Sequence, residues 1–395
     1  MKAGLNFFPL SVILALLSMP ACQRAKEVKV EVTAPQTDTE MTYMVELPAA
    51  DIFEKLDSKN FIVRNNKGEE ITSQLTYDSL ILFQATLKPG ETKEFKIHPS
   101  DTLPKYKNLV WGTVYSKRRD DLSYENELGG YRIYGPGTQA AGEKSFGYDI
   151  FFKYPTEEMI VPQLYAPETD DEVWAKVDSL RQINDNLAEE FIKTFSYHLD
   201  HGKGMDSFAV GPTLGAGAPA IVLNDSVVYP WCYETTQILD NGPLRFSYEL
   251  NFGTVELPEG DKIIEHRINY LDAGSYLNNS VVWYEGMTKP YTVATGFPLR
   301  DEISPIIENE SSLLAYSAPA QQPEYGRALL GIILENGSDS VFNKDQHLLI
   351  ATTLNPSDSL KYKWGFSWDK TEIATQEEWV KWIKTSGLKP FVKIK

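Results

Sequence analysis

The chain has 395 residues, 42% of them hydrophobic, and its 38 basic side chains face 55 acidic ones, a formal charge of −17. Length and hydrophobic content allow two globular domains, and the acidic balance excludes a nucleic-acid partner, whose phosphates demand a basic surface. An anionic substrate stays open, because a local basic cleft can sit on an acidic body.

In chain order, Lys2 precedes the mostly apolar run Leu5 to Leu17, and Ser18-Met19-Pro20-Ala21-Cys22 follows. A small residue before the cut and a run too short to span a membrane read as a signal peptide over residues 1–21. The cysteine at the end of the run predicts a lipid anchor on Cys22. An ordinary secreted protein cut nearby is the alternative. Gln23-Arg24-Ala25-Lys26 stands where an acidic surface-export run would be, which favours the periplasm and the inner leaflet of the outer membrane. With Cys22 acylated, Cys232 is left without an intramolecular partner, and no zinc site can rest on two cysteines.

Val28, Val30 and Val32 alternate with Lys29 and Glu31, the period of a strand. The β pattern continues to about residue 103, and Lys88-Pro89-Gly90-Glu91 has the chemistry of a type II turn. Residues 22–103 therefore read as a small N-terminal β-sandwich. Residues 104–395 read as a large antiparallel β-sandwich with two helices. The first covers about 170–194, with Val173, Trp174, Val177, Leu180, Leu187 and Phe191 on one face. The second covers about 376–384, where Thr375 and Glu378 have capping-box spacing. In 244–252, Leu244, Phe246, Tyr248, Leu250 and Phe252 are expected to face the core. In 263–271 the same is expected of Ile264, His266, Ile268 and Tyr270, with Glu265, Arg267 and Asn269 outward.

Three segments carry residues with chemistry. Arg118-Arg119-Asp120-Asp121, Glu125-Asn126-Glu127 and Tyr131-Arg132-Ile133-Tyr134-Gly135-Pro136 crowd both charge signs and two tyrosines into about twenty residues. Arg119 and Arg132 suit a carboxylate, Asp121, Glu125 and Asn126 suit sugar hydroxyls, and Tyr131 and Tyr134 can relay protons. A solvated loop is the structural alternative. His198 and His201, two of five histidines, stand in a glycine-broken loop with Asp200 and Asp206. They suit acid–base work near neutral pH, or they cap the preceding helix. No spacing fixes a metal site, and a divalent cation beside Asp200 and Asp206 is the one cofactor left open. The glycine-rich run 211–219 lacks the flanking strand and helix of a nucleotide loop, so it reads as a tight turn that lets backbone approach the site. Cys232 has no neighbouring base and reads as structural.

These residues resemble the domain-of-unknown-function 4861 family. Arg119-Asp120-Asp121 through Tyr134-Gly135-Pro136 looks like its first hallmark. Tyr197-His198, Asp200-His201-Gly202, Gly204, Asp206 and Gly211 look like its second, and Asn241-Gly242-Pro243 with Arg245 its third. Glu127 stands where an aspartate is expected, and Lys203 where an acidic residue is common. The resemblance implies Bacteroidota lipoproteins that act in the breakdown of uronic-acid polysaccharides. Together with the strand pattern it suggests a galactose-mutarotase-like large sandwich. It also implies a dehydratase that leaves a 4,5-unsaturated sugar at the non-reducing end of an imported oligosaccharide. On that reading His198 and His201, with Tyr131 and Tyr134, are catalytic. Arg119, Arg132, Asp121, Glu125, Asn126, Asp206 and Arg245 bind substrate. A chain-cutting lyase with a sugar leaving group is the other form of the same elimination, and the alternatives are a glycoside hydrolase pairing Glu125 with Asp121 or Glu265, a glycan-binding lipoprotein without chemistry, and an epimerase like the mutarotases.

Overall fold

Period-two alternation builds the N-terminal unit as expected. Val28, Val30 and Val32 are buried, and their strand, Val28–Thr33, pairs with Thr92–Pro99 in an antiparallel sheet. The computed structural model describes residues 27–395 apart from 225 and 259. The signal segment and Cys22 lie outside the described residues. A second sheet of Met41–Pro48, Leu80–Leu87 and Ser73–Leu75 closes over the first, and both bury one apolar cluster that includes Phe61, Phe83 and Phe95. Gly90 takes φ 68°, and the Glu91 amide donates to the Lys88 carbonyl at 2.9 Å, which makes the turn at Pro89. The last strand of the chain, Phe391–Ile394, pairs with Val28–Thr33 and so completes the N-terminal sheet rather than the large sandwich.

The large unit is mainly antiparallel β. A nine-stranded sheet runs from Tyr233–Asn241 to Ile306–Glu308. Two five-stranded sheets accompany it, one centred on Gly130–Ile133 and one on Tyr291–Pro298. All three contribute to one core. Phe246, Tyr248, Leu250 and Phe252 face that core as expected, and Leu244 is buried in a smaller cluster with Leu82 and Ala273. The neighbouring strand Lys262–Asp272 has the opposite phase. Glu265, Arg267 and Asn269 are buried, while Ile264, His266, Ile268 and Tyr270 are partly exposed. Cross-strand partners share a face. Phe246, Tyr248 and Leu250 pair with Leu271, Asn269 and Arg267, so the register turns the polar set inward. His266 stacks on Trp283 on the outer face, its rings 5.2 Å apart, and is not in the core.

Helices number more than the two expected. The apolar stripe over 170–194 is broken at Asn184, whose φ of −167° and ψ of 127° are extended. Its side chain accepts from the Asn186 amide at 2.8 Å and starts a second helix, Asp185–Lys193, after the first, Asp171–Ile183. Asparagine competes with helix hydrogen bonds in this way. Shorter helices stand at Pro136–Ala140 and Val161–Glu168, and at Ala49–Leu56, which buries Ala49, Ile52 and Leu56 at helical spacing over only eight residues. The C-terminal helix, Gln376–Ser386, shows both bonds of the Thr375/Glu378 capping box.

Arg245 joins the two units. Its guanidinium grips both oxygens of Asp272 (2.6 and 2.8 Å), donates to Glu46 of the N-terminal unit at 2.6 Å, and lies 3.9 Å from the Tyr270 ring. Gln74 accepts from the Leu244 and Arg245 amides. Arg245 is therefore a docking residue and not the substrate ligand expected of it. Removing one partner of a buried pair strands the other charge. Arg245→Ala is expected to lower unfolding free energy by roughly 3–5 kcal/mol in a urea titration. A midpoint equal to wild type would show that the junction does not depend on it.

Candidate functional site

Three adjacent strands, Asp121–Asn126, Gly130–Ile133 and Tyr148–Lys153, turn their polar residues to one face. Arg132 sits opposite Ser123 on one side and Asp149 on the other. Helix Val161–Glu168 and the loop through Tyr197 to Asp206 cover this face, so its charges are buried and must pair.

Arg132 answers that demand at the centre. Its guanidinium donates to Asp149, to Asp206 at 2.7 Å and to the Tyr134 hydroxyl at 3.3 Å. Tyr134 in turn donates to Asp149 at 2.7 Å. Burial pushes the Asp149 carboxyl up to about 6, with Arg132 opposing the rise. Burial likewise pushes Asp121 up to about 6, against the pull of Arg132 and Arg118. Asp206 uses one oxygen on Arg132, and its other oxygen is buried without a hydrogen-bond partner.

His198 lies at the mouth of this cluster. Its Nδ1 is 3.1 Å from the Asp206 carbonyl oxygen and 3.7 Å from that residue's carboxylate. A carbonyl only accepts, so Nδ1 carries a proton, and in the neutral ring the lone pair is then on Nε2. Arg118 lies against the same Tyr197 ring that His198 packs on. Its guanidinium lies 5.3 and 5.0 Å from the rings of Tyr165 and Tyr197 and donates to the Tyr197 hydroxyl. Its Nε is buried without a hydrogen-bond partner, and among the described residues no carboxylate lies within ion-pair distance of Arg118.

Of the residues expected from the sequence, the fold brings together Arg132, Tyr134, Asp121, His198 and Asp206. The others go elsewhere. Tyr131 points into the core and donates to the Tyr276 carbonyl at 2.9 Å. Glu125 pairs with the buried Lys153 at 2.8 Å and accepts the Ile160 and Val161 amides, which fixes the start of the covering helix. Asn126 holds the turn after its strand and binds the Asp272 and Ser275 carbonyls. Arg119 is exposed and paired with Glu143, and His201 is exposed against the Ser196 carbonyl. Glu265 is buried against Arg267, so neither carboxylate pair offered for hydrolysis faces a ligand. Asp200 accepts from the amides of Gly202 and Gly204 and from Tyr154. Among the described residues no group of three or more His, Cys, Asp or Glu side chains is placed to hold a metal ion. Cys232 is buried, its thiol pushed up to about 12 by that burial. Asp149, Arg118 and Tyr165 were missed. Arg118 had a signal in its neighbour Arg119, but nothing local says which of the two turns inward.

A cavity of about 540 Å3 lies at the junction of the two units, lined by residues that include Glu46, Tyr270, Asp272, Asn279, Lys363 and Trp382. Of its carboxylates, Glu46 and Asp272 are engaged by Arg245 and Glu335 lies 3.5 Å from Lys363, and no histidine lines it. The charged cluster at His198 lies apart from it, on the sheet face under helix Val161–Glu168.

The raised carboxyls set a pH dependence. An acid whose native pKa exceeds its unfolded value of 3.8 binds its proton more tightly when folded, so stability falls as pH rises from about 4 to above 6. Asp121→Asn is expected to flatten part of that decline in melting temperature. A profile parallel to wild type would assign the decline to other groups.

The model of a family described as a domain of unknown function, DUF4861, matches residues 32–389. An "Uncharacterized protein P7" from Formosa agariphila is 25% identical over 322 residues, 77% of this chain and 74% of that one. Two solved structures from Enterococcus faecalis, an alpha-mannosidase and a protein in the glycosyl hydrolase family 38, each share 10% identity at a TM-score of 0.45 over 94% of this chain. The chain spans 46% and 47% of their lengths. With a family match over nearly its whole length, the chain belongs to the DUF4861 family.

Proposed function

We propose that the protein is a periplasmic lipoprotein, anchored through Cys22, that performs β-elimination on a uronic acid at the non-reducing end of an oligosaccharide. The observation that carries this reading is that His198, its Nδ1 turned to the Asp206 carbonyl, and Arg118, which among the described residues has no carboxylate within ion-pair distance, both lie against the Tyr197 ring. Elimination breaks the C5–H bond next to the sugar carboxylate. The intermediate resembles a dianion, so that carboxylate needs a cation against it. Arg118 supplies it; Arg132 is already neutralised by Asp149 and Asp206. The Nε2 lone pair of His198 takes the C5 proton, the C5–H electrons form the C4–C5 double bond, and the 4-hydroxyl leaves. Tyr134 turns its one hydroxyl proton from Asp149 to that leaving oxygen, so water departs. Asp149 and Arg132 hold the Tyr134 hydroxyl in place.

The test is the ultraviolet absorbance of a conjugated product on incubation with uronic-acid-ended fragments of pectin, ulvan and arabinogalactan. His198→Ala is expected to lower kcat by roughly 10²–10⁴-fold, the ordinary contribution of a general base. Arg118→Ala is expected to raise KM on the uronate, and a carboxyl-reduced oligosaccharide is expected to give no product. A flat trace for wild type across all three fragment classes sinks the elimination, and reducing-sugar release without absorbance would assign a hydrolase instead. Cys22→Ala is expected to move the protein from the membrane fraction to the soluble one; its retention there would remove the lipid anchor from the proposal.

A further inference from the structure

We propose that Phe146, Tyr229 and Trp231 form an aromatic platform on which a pyranose ring of a glycan chain stacks, at a subsite next to the His198 pocket. The Phe146 and Tyr229 rings lie 4.5 Å apart and nearly parallel, at 22°. Trp231 meets Phe146 edge-on, 5.9 Å away at 75°. All three are partly exposed, and Phe146 and Trp231 belong to none of the buried apolar clusters. Core packing therefore does not account for Phe146 and Trp231, while Tyr229 packs on the edge of the large core. Trp231 is also held at φ 70°, a left-handed backbone that a tryptophan rarely adopts and that surrounding structure must impose.

The restraints that impose it are on the segment itself. The Trp231 Nε1 donates to the Glu143 carbonyl at 3.0 Å, the buried Cys232 thiol lies against the Ser145 carbonyl at 3.7 Å, and Tyr233 donates to the Asp120 carbonyl. Segment 229–233 is thus stapled to segment 143–146, and the platform is rigid. Rigid aromatic faces bind the C–H face of a sugar while the sugar's hydroxyls seek polar groups at the rim. The exposed Arg119–Glu143 pair stands at that rim.

Position ties the platform to the pocket. Phe146 precedes Asp149 by three residues, so their backbones are at most about 11 Å apart. On the other side the Tyr229 ring is 6.4 Å from that of His347, whose Nε2 accepts the Leu214 amide at 3.1 Å. Leu214 belongs to the glycine-rich loop, and its carbonyl accepts the Tyr148 amide on the strand that carries Asp149. As a subsite of the elimination site the platform rests on the preceding reading; the stacking itself does not.

The experiment is calorimetric titration of the full chain with a uronic-acid-ended disaccharide and tetrasaccharide from the same polymer. Trp231→Ala is expected to weaken tetrasaccharide binding roughly tenfold and disaccharide binding less, in line with the stacking energy of one aromatic ring. Tyr229→Ala carries the same test should Trp231→Ala not fold, as judged by its melting temperature. Folded variants that bind the tetrasaccharide as wild type does overturn the platform. Turnover with unchanged tetrasaccharide affinity in the variants would sink the platform and leave the elimination standing. Tetrasaccharide binding that falls in the variants, with no turnover by wild type, would do the reverse.

Discussion

A single buried guanidinium governs this site. Arg132 is almost wholly out of water and has two carboxylates on it, one from the neighbouring strand and one from the loop after Tyr197. A buried charge without partners is far costlier than a paired one, so neither carboxylate can leave without the other groups rearranging. The pair at Asp149 fixes Tyr134, and the pair at Asp206 fixes the backbone carbonyl that sets the His198 tautomer. In the proposed elimination Arg132 thus acts through two other residues, as a positioning residue, and Arg118 is the cation assigned to the sugar carboxylate.

The same constraint explains why so many charged residues of this sheet are structural. Lys153 and Glu125 are both fully buried and satisfy each other, and the Glu125 oxygens also receive two amides at the start of the covering helix. The helix lies over Arg132, so the two buried ion pairs are mechanically linked: one fixes the lid and the other fixes what lies beneath it. Charge that looks like a ligand set in the sequence is largely consumed in holding one layer onto another.

Legibility in the sequence follows from this. Where alternation sets apolar against charged residues beside water, as at Val28, Val30 and Val32, the strand and its inner face are readable. The Thr375/Glu378 capping box is readable because its bonds are local. Residues 263–271 alternate just as clearly, yet their phase comes from pairing with Phe246, Tyr248 and Leu250, a fact that no local pattern contains. The buried Glu265–Arg267 pair is the price of that register. The family hallmarks were legible as motifs, and five of the eleven candidate residues do meet. Arg119 and Arg118 could not be told apart, because their difference is one step of backbone: Arg119 takes φ 59° and turns to Glu143, while Arg118 stays under the Tyr165 and Tyr197 rings.

Two kinds of arginine therefore divide the molecule. Arg245, at the hallmark turn after Asn241, holds the N-terminal unit on the large sandwich through Glu46 and Asp272, two of the carboxylates that line the 540 Å3 cavity beside it. Arg132 and Arg267 are likewise committed. Arg118 differs: its guanidinium rests on aromatic faces and a phenol, which hold it in place without cancelling its charge. A cation positioned by rings rather than by carboxylates keeps its attraction for an anion from outside. On an acidic protein of net charge −17 such a local cation is what the proposed uronate ligand requires.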